Sequence, residues 1–167
     1  MIRRVAFKKA IIAGFLGAAG WEVIARALVF SGVQVFDLVR TLGTLVPGND
    51  APSWFWWPLG MLMHCIVGSV WAIFYAYFVW STFRVGPPLQ GMAFSLLPAV
   101  LAGLIMIPQF DLIRNSEIHK FGIFAWQLGW GGPVMVVLGH IIYGCILGVM
   151  YTRPVGYRVG EPVHLNA

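Results

Sequence analysis

Charge is what this chain has least of. Lysine, arginine, aspartate and glutamate make up 10% of its 167 residues, where a soluble domain carries about 25%. A surface that poor in charge cannot face water. Acidic residues are the scarcer sign, 6 against 11 basic ones. Cysteine is nearly missing as well: Cys65 and Cys145 both lie inside apolar runs, with no CxxC pair. That excludes a disulfide scaffold and a cysteine zinc site. There is no Gly-rich phosphate loop, no catalytic serine elbow and no pair of carboxylates, so nothing in the chain reads as an enzyme's catalytic constellation.

What is present is apolar. Hydrophobic residues make up 59% and the mean hydropathy is +0.81, which places the chain in a membrane. The apolar stretches are continuous rather than alternating, which excludes a spanning β-barrel. Each helical span needs about 20 apolar residues, and four such runs occur, at about 9–30, 56–80, 89–108 and 132–151. The opening MIRRVAFKKAIIAGFLGAAG has the basic start and apolar core of a signal peptide. The run continues to Phe30, however, and reads as an uncleaved first span. The fold class expected is therefore all-α and integral to a membrane, in a single transmembrane domain over 1–167.

The net charge of +5 resides mainly at the chain ends and between spans. It reads as a topology and lipid-headgroup signal, not a nucleic-acid one. Arg3, Arg4, Lys8, Lys9, Arg84, Arg153 and Arg158 fall on one side, and only Arg40, Arg114 and Lys120 on the other. Both termini are then cytoplasmic, with loops 31–55 and 109–131 outside and 152–167 a cytoplasmic tail. The membrane expected is a bacterial inner membrane.

The first outer loop has helical spacing. Val35, Leu38, Val39, Leu42, Leu45 and Val46 share one face, with Gln34, Asp37, Thr41 and Thr44 opposite. That pattern predicts a short amphipathic helix lying in the interface. SWFWWP at 53–58 is an aromatic anchor at the headgroup level.

An internal repeat runs through the chain. VFDLVR at 35–40 matches QFDLIR at 109–114, and Gly17 matches Gly91, both at an offset of 74. His64, Gly68 and Tyr75 match His140, Gly144 and Tyr151 at an offset of 76. Two parallel two-helix units follow, over 10–80 and 88–151, separated by GPP at 86–88 and related by a pseudo-twofold axis along the membrane normal. Small residues four apart mark the packing faces: Gly91, Ser95, Ala99 and Gly103 in the third span, Gly68, Ala72 and Ala76 in the second.

Two pairs of residues carry possible chemistry. Glu22 and Arg26 are charges four apart within the first span. Each costs about 2.5–3.5 kcal/mol at a helix centre, so the pair faces protein. They form either a self-neutralising ion pair or a proton-relay and cofactor-anchoring group. His64 and His140 both sit about 12 Å inside their spans at 1.5 Å per residue, on small-residue stripes. Matched depth and a pseudo-twofold axis bring the imidazoles face to face. They would then ligate the iron of haem b or the magnesium of a chlorin pigment, with Gly68 and Gly144 leaving room for the macrocycle. The competing readings are a hydrogen bond between helices and a proton-transfer or quinone contact. His119 and His164 lie in polar stretches and read as solvated, and Asp37–Arg40 and Asp111–Arg114 as surface salt bridges.

With HCIVG at 64–68 and HIIYG at 140–144 in view, the chain resembles a class of small, uncharacterised four-span bacterial inner-membrane proteins with a duplicated H-x3-G motif. The resemblance covers most of 10–151 and implies the architecture alone. The Glu22/Arg26 pair departs from it. The function expected is a non-catalytic accessory subunit of a larger bioenergetic or electron-transfer complex, with lipids and other transmembrane subunits as partners. The alternative is a proton-coupled transporter or channel using Glu22, Arg26 and the histidines. A purely structural envelope protein is the third.

Overall fold

Apolar runs of this length leave the backbone one way to satisfy its polar groups without water, which is to close them into helices. In the computed structural model the residues described are 5–33, 36–48, 50–80, 85–113 and 120–151. Arg3, Arg4, Arg84, Arg114, Arg153, Arg158, Gln34, Val35, His119, His164 and the 152–167 tail, all invoked above, lie outside them. The regular structure among the described residues is all helical, with no strand. Four helices are long and apolar enough to cross a membrane: Phe7–Phe30, Ser53–Val79, Pro87–Leu112 and Gly131–Met150.

Helix α1 spans Phe7–Phe30 and ends at Gly32, whose φ of +83° closes a Schellman turn. The Val33 N–H reaches Leu28 O and the Gly32 N–H reaches Val29 O. Helix α2 is one short segment, Leu38–Gly43. Helix α3 covers Ser53–Phe74 and runs on as a π-helical turn, Tyr75–Val79. Helix α4 covers Pro87–Leu101, with prolines at its first positions, where a missing N–H costs nothing. A second π-helical turn, Ala102–Met106, follows, and α5, Ile107–Ile113, continues it. The expected third span stopped at Pro108. The helix passes through it because the widened turn just before re-spaces the hydrogen-bond ladder that the proline ring disturbs. A tight turn over Ile123–Leu128, kinked at Phe124 and Ala125, leads into α6, Gly131–Met150.

Around the bundle the order is α3, α1, α6, α4, with the long pairings α1/α3, α1/α6 and α4/α6. The α4/α6 crossing is the tightest. A methyl added to Gly91 would collide with Gly144 O, and one added to Gly144 would collide with Gly91 O. Alanines and glycines line the helix crossings, with Tyr75, Phe94, Tyr143 and Leu147 buried among them, while Ile12, Phe15, Leu62, Val70, Leu96 and Val149 face outward. That inverts a soluble bundle and suits lipid contact. Between α3 and α4, contact is concentrated at one end. The α3 π-turn meets α4 there, Phe94 packs against Trp71, Phe74 and Tyr75, and Gln90 Nε2 donates to Val79 O at 2.7 Å.

Helix α2 differs from the expected interfacial helix in being covered on both sides: Val39 and Leu42 of the apolar face are buried, and so are threonines of the opposite one. Thr41 and Thr44 are each 2% exposed, while Val46 is 83% exposed. The hydroxyls donate to backbone carbonyls one turn back, Asp37 O at 2.8 Å and Arg40 O at 2.7 Å, so the threonines bury without an unpaired group. Gly43 and Gly60 then let α2 lie backbone to backbone on α3: a methyl on Gly60 would strike Val39 O.

Candidate functional site

Where α3 and α4 part, a cavity of about 110 Å³ is left, partly open and lined from every long helix. His64 and Trp71 come from α3, His140 and Tyr143 from α6, and Trp21 from α1. Pro98 of α4, Met106 of its π turn and Met135 of α6 add to the wall. One end rests on an apolar cluster of Ile107, Val136 and Phe36, backed by Ala125 and Phe124.

The two imidazoles face the same cavity from different helices, and they are unequally supported. The His140 Nδ1 lies 2.7 Å from Val136 O. A carbonyl only accepts, so Nδ1 carries the proton and Nε2 holds the lone pair. The His64 Nδ1 is buried with no hydrogen-bond partner among the described residues. Tyr143 also reaches into the region, but its hydroxyl is committed, donating to Gly68 O at 2.6 Å.

The two glycines assigned to the site separate here. Gly68 lines the cavity, yet its Cα already abuts α1: an added methyl would come within 2.9 Å of both Ala18 Cβ and Gly14 O. Gly144 is outside the lining and is taken up by the α4/α6 crossing against Gly91 and Ser95. Neither opens a slot for a flat ring. A macrocycle ligated on both faces must lie between the histidines, and the space there is smaller than the roughly 150 Å³ cavity that accepts a benzene molecule. Haem b or a chlorin therefore does not fit the side chains as they stand.

Glu22 and Arg26 do not line the cavity. Glu22 is buried at 5% exposure, with its Oε1 2.5 Å from Arg26 Nε. The guanidinium also takes Asp37 in a two-pronged pair, Nη1 to Oδ2 at 3.0 Å and Nη2 to Oδ1 at 2.6 Å. Asp37 at the same time caps α2 by accepting the Arg40 N–H at 2.9 Å. The expected Asp37–Arg40 salt bridge is thus a backbone cap. The Arg40 guanidinium lies 5.9 Å from the Trp56 ring centroid instead. Asp111 accepts the Phe121 and Gly122 N–H groups at 2.7 and 2.8 Å; Arg114, its expected partner, lies outside the described residues.

Met106, Met135, Trp21, Trp71 and Tyr143 were not singled out from the sequence. Tyr143 was recoverable, since it lies one turn after His140 on the same face. The methionines carry no spacing signal. Among the described residues no three His, Cys, Asp or Glu side chains cluster as a metal site. No protein-family model matches the chain, and neither a curated protein nor a solved structure matches it.

Proposed function

We propose that this chain is a small, non-catalytic accessory subunit of a larger bioenergetic membrane complex, and that it holds one compact ligand between His64 and His140. The observation carrying this reading is the convergence of two imidazoles, from α3 and α6, on one cavity with an otherwise mostly apolar lining. Buried histidine nitrogens in a membrane bundle are expensive unless they are partnered, and they mark function by default. The outward apolar faces of the helices suit neighbouring subunits as well as lipid.

The transporter alternative gains nothing from the geometry. Its charged members, Glu22 and Arg26, are paired with each other and with Asp37, and stand outside the cavity. In the same reading the chain sits in a bacterial inner membrane with both termini cytoplasmic. Its halves 10–80 and 88–151 are two copies of one unit, and α2 with its flanks rides at the outer interface. The α1/α3 and α4/α6 pairings are what such copies predict.

The test is gentle purification of the tagged chain from its native membrane. Larger transmembrane subunits co-purify, and the absorption spectrum lacks a Soret or chlorin band. A chain recovered alone under conditions that keep other complexes intact would sink the accessory role.

A further inference from the structure

We infer that the cavity between α3, α4 and α6 is a site for a cuprous ion, with His64, His140, Met106 and Met135 as its donors. All four side chains line that one cavity, from three different helical elements. The inference rests on the reading that the two histidines share a ligand, and it names that ligand.

Four features point to a metal ion, and to this class of ion. The first is His140, whose Nδ1–H is spent on Val136 O, which leaves Nε2 as a lone pair directed away from its own helix. A ligating histidine is normally held in this way, by a backbone acceptor on the other nitrogen. The second is His64, whose buried Nδ1 lacks a partner. Buried polar atoms rarely go unpaired, and a coordinating ion supplies the missing partner to this ring.

The third is the softness of the donors. Among the described residues the lining offers two imidazoles and two thioethers, with no carboxylate and no thiol. Thioethers select soft ions such as Cu(I), whereas calcium and magnesium demand oxygen donors. Charge gives the fourth. All the donors are neutral, so a divalent ion would bring two uncompensated charges into an apolar cavity, and a monovalent one only one. The indole rings of Trp21 and Trp71, which line the same space, favour a cation through their negative faces. Size agrees: about 110 Å³ takes an ion and a small co-ligand where a macrocycle does not fit. Met106 also closes the π-helical turn Ala102–Met106, a feature that recurs at functional sites.

Methionine is otherwise a filler of irregular gaps, and the experiment separates the two roles. The full-length protein in detergent is titrated with Cu(I), under reductant, against a chromophoric cuprous chelator. The expected result is about one tightly held copper per chain, with nitrogen and sulfur neighbours in the X-ray absorption spectrum. Met106→Leu with Met135→Leu keeps the packed volume, removes the sulfur signal and weakens binding by about tenfold or more. His140→Gln weakens it at least as far, while the double leucine variant unfolds at the wild-type temperature without copper. Failure to compete with the chelator, or a double leucine variant that binds as the wild type does, overturns the site. If copper is absent while partner subunits still co-purify, only the copper assignment falls. If copper and partners are both absent, the accessory reading falls with it.

Discussion

Tyr143 of α6 donates its hydroxyl to the carbonyl oxygen of Gly68 in α3 at 2.6 Å, deep between the helices. This ties the two histidine-bearing helices together one turn from each imidazole, and takes the phenol out of the set of groups open to a ligand. Tyr143→Phe should lower stability by about 0.6–1.7 kcal/mol, the range for a hydrogen bond between membrane helices. Unfolding in mixed micelles reads it. Copper binding should survive the substitution.

The Glu22–Arg26–Asp37 cluster fastens the end of α1 to the start of α2. Removing one partner of a buried ion pair costs about 3–5 kcal/mol. The guanidinium side chain is 27% exposed, which brings the loss expected for Arg26→Met to about 2–3 kcal/mol. Asp37→Asn should cost less, about 1 kcal/mol. Adding Glu22→Gln to Arg26→Met should restore part of the loss, since the stranded carboxylate is gone. No recovery in the double variant would refute the assigned charge balance.

Two glycines set distinct contacts and should fail differently. Gly60→Ala drives a methyl into Val39 O, and overpacking of this kind costs about 1–3 kcal/mol. Hydrogen exchange should quicken in 38–43 and leave α6 unchanged. Gly144→Ala strikes Gly91 O and should loosen the α4/α6 pair along its length instead.

Asp111 holds the turn before α6 through two backbone N–H groups. Hydrogen bonds to a charged acceptor are worth about 1.5–3 kcal/mol each. Asp111→Ala should therefore speed exchange across 121–128, while α1 and α3 keep their protection.

The spans were legible because an apolar run reports directly on burial in lipid. The ends expected at 9–30, 56–80 and 132–151 lie within a few residues of those found. The third span was cut short at Pro108, because a π turn leaves no signature in residue type. The partner of Asp37 was misassigned for a related reason, and the backbone groups that Asp111 accepts from were not foreseen. Periodicity pairs a side chain with its neighbours on the same helix, whereas these carboxylates reach another helix and a distant backbone. Thr41 and Thr44 looked solvent-facing because sequence polarity does not show that a hydroxyl can bond its own helix. The histidines could be placed on inward stripes by spacing, but which glycine borders a space and which is crushed between helices depends on the crossing geometry.

Phe124 and Ala125 hold φ of +52° and +57°, a left-handed backbone that costs an L-residue about 1–2 kcal/mol each. The Phe124 ring is seated on Gly103, where an added methyl would strike it. Glycine at 124 would relax the backbone and leave that seat empty; the ring is partly buried, so the loss is about 2–4 kcal/mol, short of the figure for a fully buried phenylalanine. Phe124→Gly should thus destabilise by up to roughly 3 kcal/mol net. The ring works as a latch on a sprung turn. The end wall of the cavity, built on the same cluster, keeps its shape only while the latch is engaged.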